Sequence, residues 1–203
     1  HSVLVLEKAN KVGKNILMSG GGRCTFTNYV VSADNFISGN PHFCKSALKQ
    51  YTQWDFIAMV ERYGIEFEER KHGQLFCVNS ARDILDMLLQ ECQLGGVVVK
   101  SSCTVEHVDS LPGPDGRNTY RIVAWLPDEQ ECSMTCHSLV VATGALSIPT
   151  LGGSGFGYEL ARQFSLPLKE RRAGLVPFMF SDVMKPICER LSGLAVEVEL
   201  ACG

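Results

Sequence analysis

Apolar and polar positions change rhythm several times along this chain, and each change marks an element. Ser2 to Leu6 ("SVLVL") shows no polar alternation, which predicts a short strand buried on both faces, as parallel strands covered by helices are. A long glycine-containing loop is expected over roughly residues 8–40. Helical spacing then runs from about Pro41 to Tyr63 and stops at Gly64, a C-terminal cap. "IEFEER" alternates like a strand, and "GQLFCV" predicts another. Ser80 and Asp83 have capping-box spacing ahead of Ile84, Leu85, Leu88 and Leu89, so a helix is predicted from there to Gly95-Gly96.

The second half is richer in strands. "VVVKSSCTVEHVDSL" predicts one long strand, and the breaker-dense "PGPDGRN" a turn. "TYRIVAWL" and "SMTCHSLVVAT" complete a β-meander. "VVATGA" is expected to be a buried strand that delivers Thr143 and Gly144 at its carboxyl end, where open α/β sheets bind ligands. "GSGFGYELARQF" predicts a glycine loop opening a helix, and "GLVPFMF" and "LAVEVELACG" read as strands. The order predicts an α/β sheet with an antiparallel excursion.

Composition narrows the function classes. The chain has 203 residues, 45% of them hydrophobic and 20% charged, as in an ordinary globular protein. Its net charge of -3 and lack of a basic block exclude a broad phosphate-neutralising surface, leaving room only for a small RNA patch made of a few arginines. No apolar run reaches the length of a membrane helix, and no signal peptide is present. The nine cysteines stand singly without a CxxC, so reduced, packed thiols in the cytoplasm are expected. Cys132, Cys136 and His137 lack a second ligand pair, and no metal is expected there.

Several stretches could carry chemistry. Glu7, followed by Lys8, ends a strand, and an acid in that position accepts hydrogen bonds from ribose hydroxyls in dinucleotide-binding folds. The glycine turn that should precede such an acid by about 20 residues does not fit in the six residues before Glu7, so either the fold is a different one or the turn lies upstream of His1. "SGGGRC" is more specific. Gly20, Gly21 and Gly22 let bare backbone approach a flat or anionic ligand, Arg23 adds fixed charge, and Asn28 offers both donor and acceptor. Gly155 and Gly157 lie at a helix start suited to an anion. A P-loop is excluded because Asn15 follows Gly13-Lys14, and no G-x-S-x-G occurs. Cys24, His72 and His107 are read as structural rather than catalytic.

Together these blocks resemble the BaiN/RdsA-like flavoproteins, also described as aminoacetone-oxidase-family FAD-binding enzymes. "VLVLEKANKVGKNILMSGGGRCTFTN" is similar to that family's strand, acid and "SGGGRCNxTN" signature, and "GQLFCVNSARDILDMLL" to its "GRxFPxSxxAxxVxxxL" block. "VVATGALSIPTLGGSGFGYELA" resembles "ATGGxSYPxxGSTGDGYxxA", and "RRAGLVPFMF" followed by "LSGLAVEVEL" resembles the opening of an inserted domain. Ala145, Ile148, Phe156 and Cys77 depart from the pattern.

The resemblance implies a Rossmann-like FAD-binding domain over 1–175 and the start of an inserted β-rich domain over 176–203. It implies that Glu7 and Lys8 face the adenosine ribose, with Gly13 and Lys14 lining the adjoining loop. Ser19, Gly20, Gly21, Gly22, Arg23, Cys24, Thr27 and Asn28 would approach the pyrophosphate and flavin end. Ala142, Thr143 and Gly144 would close over the nucleotide, with Gly155 and Gly157 beyond them. The implied activity is an FAD-dependent oxidoreductase, an NAD(P)H-dependent reductase of a small molecule or modified base. The alternatives are a non-catalytic nucleotide-binding scaffold and a flavin-free NAD dehydrogenase. As an internal segment of a protein about twice as long, this chain is expected to retain FAD weakly or not at all.

Overall fold

A computed structural model describes residues 2–113, 116–146, 153–174, 179, 181–194, 197, 199 and 201. The chain divides into two compact units, His1–Leu168 and Lys169–Gly203. In the second, the described element is a helix, Lys185–Arg190, with Pro186 in its first turn. The predicted strands "GLVPFMF" and "LAVEVELACG" lie mostly outside the described residues.

Three sheets organise the first unit. β1 (Leu4–Leu6) pairs in parallel with β5 (Val98–Lys100), Leu4 opposite Val98 and Leu6 opposite Lys100. β2 (Thr25–Asn28), β4 (Gln74–Cys77) and β3 (Phe67–Glu69) form an antiparallel sheet in that order. β6 (Thr104–Pro112), β7 (Asn118–Trp125) and β8 (Glu131–Cys136) form the predicted meander. The mixture is the expected Rossmann-like α/β arrangement with an antiparallel excursion.

The capping signals are used as the sequence implies. α4 (Ala81–Leu94) starts at Ser80, whose side chain accepts from the Arg82 N–H at 3.1 Å while Asp83 accepts from the Ser80 N–H at 3.2 Å. A second capping box, Thr52 with Asp55, opens α3 (Gln53–Arg62) and divides the predicted 41–63 helix, leaving α2 (Lys45–Gln50) before it. Gly64 ends this stretch with φ +65°, as the C-cap reading requires. Arg62 and Tyr63 both reach Glu91, at 2.8 and 2.7 Å, tying α3 to α4.

Four expectations are corrected. The loop at 8–40 contains α1 (Lys14–Met18), a tight turn over Ser19–Gly22 and β2, because "TFTN" finds a partner in β4 that lies far away in sequence. The single strand predicted over 97–111 is two strands in different sheets. Ser102 turns left-handed at φ +56°, its N–H donating to the Ala9 carbonyl at 2.9 Å, and the chain leaves the parallel sheet there. β1 is not buried on both faces: Val3, Leu4 and Val5 are 49, 43 and 41% exposed, since β5 is β1's strand partner among the described residues. Finally, β8 ends at Cys136, and Val140 to Ala145 form no strand; no neighbouring strand pairs with them among the described residues, and Val140 is exposed.

Two apolar clusters hold these elements. The first joins Cys24, Val60, Cys77, Ala81, Ile84 and Met87, with Ile16, Phe26 and Phe56 against it. The second joins Val108 and Ile122 of the meander to Leu160 of α5 (Phe156–Gln163), with Leu6 and Phe156 packed on it. Glycine turn and strand end are therefore anchored in different clusters.

Candidate functional site

The backbone around Gly20 sets the geometry. Gly20, Gly21 and Gly22 have φ of +59°, +66° and +88°, values that L side chains rarely adopt. The three are not equivalent. A Cβ on Gly20 would stand 2.8 Å from the Phe76 ring and 3.0 Å from the Thr25 nitrogen, so packing alone demands glycine there. A Cβ on Gly21 or Gly22 would meet nothing within 4 Å. These two glycines serve the handedness of the turn and present bare backbone on an open side.

Ser19 fastens the turn. Its Oγ accepts from the Thr25 N–H at 3.2 Å and its carbonyl from the Cys24 N–H at 2.9 Å. The Arg23 carbonyl accepts from the Cys77 N–H at 2.9 Å, and the Arg23 guanidinium lies 3.7 Å from Glu68. Thr27 and Asn28 continue as β2, opposite Leu75 and Gln74. Asn28 bonds the chain through both amide atoms: its Nδ2 donates to the His72 carbonyl at 2.8 Å and its Oδ1 accepts from the Val30 N–H at 2.8 Å.

Cys24 and Cys77 sit under this turn in the same cluster. Burial pushes the Cys24 thiol up, opposed by its hydrogen bond to the Ser19 side chain. Burial, together with the charges of Cys24 and Asp83, pushes Cys77 up to about 11. Both remain protonated thiols at neutral pH and pack as small apolar groups, in keeping with a structural Cys24.

A hollow of about 300 Å³ opens beside the turn between α1, β2, α3 and α4. Phe26, Phe56, Ile84 and Leu88 supply apolar wall, and Asn15, Ser19, Cys24 and Thr25 supply polar edge. Its volume is at the lower end of the size range of ligand pockets, and it is open to solvent. The sequence reading did not find Asn15, Phe56, Ile84 or Leu88. Ile84 and Leu88 were visible only as core spacing, and Asn15 lay in what read as loop.

The remaining candidates lie elsewhere. Glu7 follows β1 directly, half-buried, with its N–H donating to the Lys100 carbonyl and its own carbonyl accepting from the Cys103 N–H at 2.8 and 2.9 Å. Its Oε1 accepts from the Ala9 N–H at 2.7 Å, and Lys8 is exposed beside it. Gly13 caps α1 with φ +75°, where any Cβ would run into the Leu85 side chain, and Lys14 begins the helix.

Ala142, Thr143 and Gly144 (φ +69°) approach the start of α5: Thr143 Oγ1 lies 3.3 Å from where a Gly157 Cβ would sit. Gly155 caps α5, its carbonyl accepting from the Tyr158 and Glu159 N–H groups at 2.9 and 3.0 Å. That helix start carries its own acid in the first turn, Glu159. Phe156, which departs from the resembled pattern, is a packing residue on the second cluster.

Ser19 to Asn28 thus form one group of the candidates, with Cys24 buried within it. Glu7, and separately Thr143 with Gly157, form two further groups, linked through Leu6 and Phe156 on the second cluster. Nucleotide cofactors bind at the carboxyl ends of parallel strands in doubly wound folds, and Glu7 occupies such an end.

Known proteins resemble this chain in sequence. A ribosomal RNA dihydrouridine synthase of Escherichia coli (strain K12) is 45% identical over 193 residues, covering 95% of this chain and 45% of that protein. One from Haemophilus influenzae (strain ATCC 51907 / DSM 11121 / KW20 / Rd) is 40% identical over 204 residues, covering 100% of this chain and 49% of its own. A 3-dehydro-bile acid delta(4,6)-reductase of Clostridium scindens (strain ATCC 35704 / DSM 5676 / VPI 13733 / 19) is 26% identical over 205 residues, covering 98% of this chain and 46% of its own. The chain spans about half the length of the curated relatives it matches. A family model described as the HI0933-like protein Rossmann domain matches residues 1–185, which include the acid-ended parallel strand, the glycine turn and the 142–157 segment. The chain therefore belongs to the HI0933-like Rossmann-domain family, the BaiN/RdsA-like flavoproteins that its motifs resemble.

Proposed function

We propose that this chain forms much of the cofactor-binding part of an FAD-dependent oxidoreductase that uses NAD(P)H to reduce a carbon–carbon double bond in a base of ribosomal RNA. The observation that carries this reading is the pair Gly21 and Gly22: left-handed, bare, and facing open space that no packing partner explains. A flat or anionic group can approach the main chain there at a distance a Cβ would forbid. Glu7 adds a carboxylate at a parallel-strand end, suited to accept from ribose hydroxyls. The residues present fit the cofactor.

The relatives' names support the reaction class. Dihydrouridine differs from uridine by two hydrogens across one ring double bond, and a delta(4,6)-reductase also acts at ring double bonds. FAD, when bound, supplies the hydride chemistry, with NAD(P)H as electron source. The chain's own residues bind and orient. Glu7, Lys8, Gly13 and Lys14 hold the adenosine side, Ser19 to Cys24 with Thr27 and Asn28 form the wall toward the ring system, and Ala142 to Gly144 with Gly155 and Gly157 close the nucleotide. The protonated thiols of Cys24 and Cys77 are turned into the first apolar cluster and take no nucleophilic part.

The test uses the full-length protein. Bound-flavin absorbance is expected on purification, with bleaching by NADH or NADPH and a gain of two hydrogens on a uridine of unmodified ribosomal RNA, read by mass spectrometry. Glu7→Ala is expected to weaken FAD binding about tenfold or more, as loss of a charge-assisted hydrogen bond would. A colourless protein that ignores added FAD would replace the enzyme by a non-catalytic scaffold. A flavin-loaded protein that reduces a steroid enone but no RNA would overturn the substrate.

A further inference from the structure

We propose that Tyr29, Trp54 and the Arg70–His72 turn form a stacking platform for single-stranded or looped RNA; this rests on the RNA-base reading above. The Tyr29 and Trp54 rings are stacked, with centroids 5.6 Å apart and planes 27° from parallel. Trp54 is 55% exposed, and neither ring belongs to the two apolar clusters. Core packing therefore does not account for the pair.

The platform is rigidly mounted. Gln53 Nε2 donates to the Tyr29 carbonyl at 3.1 Å, fixing the start of α3 to the end of β2. The Tyr29 N–H donates to the Gly73 carbonyl at 2.9 Å, and Asn28 Nδ2 donates to the His72 carbonyl at 2.8 Å. These bonds clasp the Lys71–Gly73 turn against the aromatic pair. His72 is held left-handed at φ +63°, a conformation that disfavours any side chain, and a Cβ on Gly73 would lie 2.8 Å from Asn28 Oδ1. A turn so tightly constrained presents Arg70, Lys71 and His72 consecutively, with Lys71 and His72 exposed.

The turn sets its cations among acids that are partly engaged: Asp55 accepts from the Thr52 N–H and hydroxyl, Glu68 accepts from Arg70 at 2.7 and 2.9 Å, and Glu69 is exposed before Arg70. Arg70 also lies over the Phe76 ring, 4.3 Å from its centroid, which leaves Lys71 as the outward cation with the exposed His72 beside it. Aromatic faces for bases beside cations for phosphates are the elements by which proteins hold unpaired RNA. The net charge of -3 is compatible with such a local patch.

Binding of full-length protein to a fluorescein-labelled, uridine-rich single-stranded RNA of about 12 nucleotides, within the site sizes of such platforms, tests this by anisotropy. Trp54→Ala is expected to weaken binding about tenfold with flavin absorbance unchanged, and Trp54→Phe to restore most of it. Lys71→Ala is expected to lower the slope of log affinity against log salt by about 0.7. If Trp54→Ala costs RNA and flavin binding equally, it has disturbed the fold, and the Lys71→Ala slope decides. Unchanged RNA binding in Trp54→Ala, or an unchanged slope in Lys71→Ala, with RNA reduction intact, overturns the platform and leaves the reductase reading standing. Wild-type protein that binds flavin but neither binds nor reduces RNA overturns both.

Discussion

The region around the glycine turn and the region around β1 belong to one Rossmann-like unit, yet they are built on opposite terms. The first folds around a closed cluster in which Val60 and Cys77 are fully buried, and α3 and α4 start at capping boxes. The second leaves Val3, Leu4 and Val5 half exposed and its 140–145 segment without a strand. Local chemistry is enough to build a turn and its supporting helix. A parallel strand depends on what lies beside it.

The largest effect should separate the two regions by stability alone. Ile84→Ala removes a side chain that is 2% exposed in the first cluster, and is expected to cost about 4 kcal/mol. Leu4→Ala, at 43% exposure, is expected to cost about 1 kcal/mol. Urea unfolding of both variants checks this. Equal losses would mean that β1 is as well packed as the core, against its exposure.

A smaller contrast lies inside the turn. Gly20→Ala combines a left-handed backbone with a clash against Phe76 and the Thr25 nitrogen, and about 3 kcal/mol is expected. Gly21→Ala meets open space and carries only the backbone strain, about 1–2 kcal/mol. In full-length protein the ranking should invert for FAD: Gly21→Ala stays folded and loses cofactor affinity. An unimpaired Gly21→Ala would remove the reason for calling Gly21 a wall.

Both contrasts show which features the sequence made legible. Ser80 with Asp83, and Gly64 after α3, act through neighbours three or four residues away, so their spacing announces them. The glycine run announced an unusual backbone, but nothing local distinguished Gly20, shaped by Phe76 some fifty residues on, from Gly21 and Gly22. β2 was hidden in a loop because its identity comes from β4, and Thr52 divided a helix whose apolar spacing read as continuous. Ser102 looked like one more strand residue, although its left-handed turn moves the chain between sheets. Burial of β1 is inferred from a run without polar alternation, which reports what a segment prefers and not what covers it. For the site, residue types were readable at Glu7 and Ser19 to Asn28, whereas the hollow beside Asn15 and Phe56 needed three helices placed together.

The smallest effect concerns a charged pair on the meander. Asp109 stands opposite Arg121 in the β6–β7 register, and its carboxylate takes hydrogen bonds from the Arg121 guanidinium and lies 2.6 Å from His107 Nε2. The Arg121 bond first, then His107, holds the Asp109 pKa below its ordinary value. A carboxyl whose pKa is lower folded than unfolded binds its proton more readily in the unfolded chain. Its contribution to stability is therefore complete above the unfolded value of about 3.9 and disappears as pH falls through the folded one. Asp109→Asn should flatten the acid limb of the stability curve below about pH 4, and the salt sensitivity of that limb should fall with it, as for any exposed pair. An acid limb unchanged in Asp109→Asn would assign acid sensitivity to another carboxylate, with Glu91 next in line because its bond to Tyr63 holds it low in the same direction.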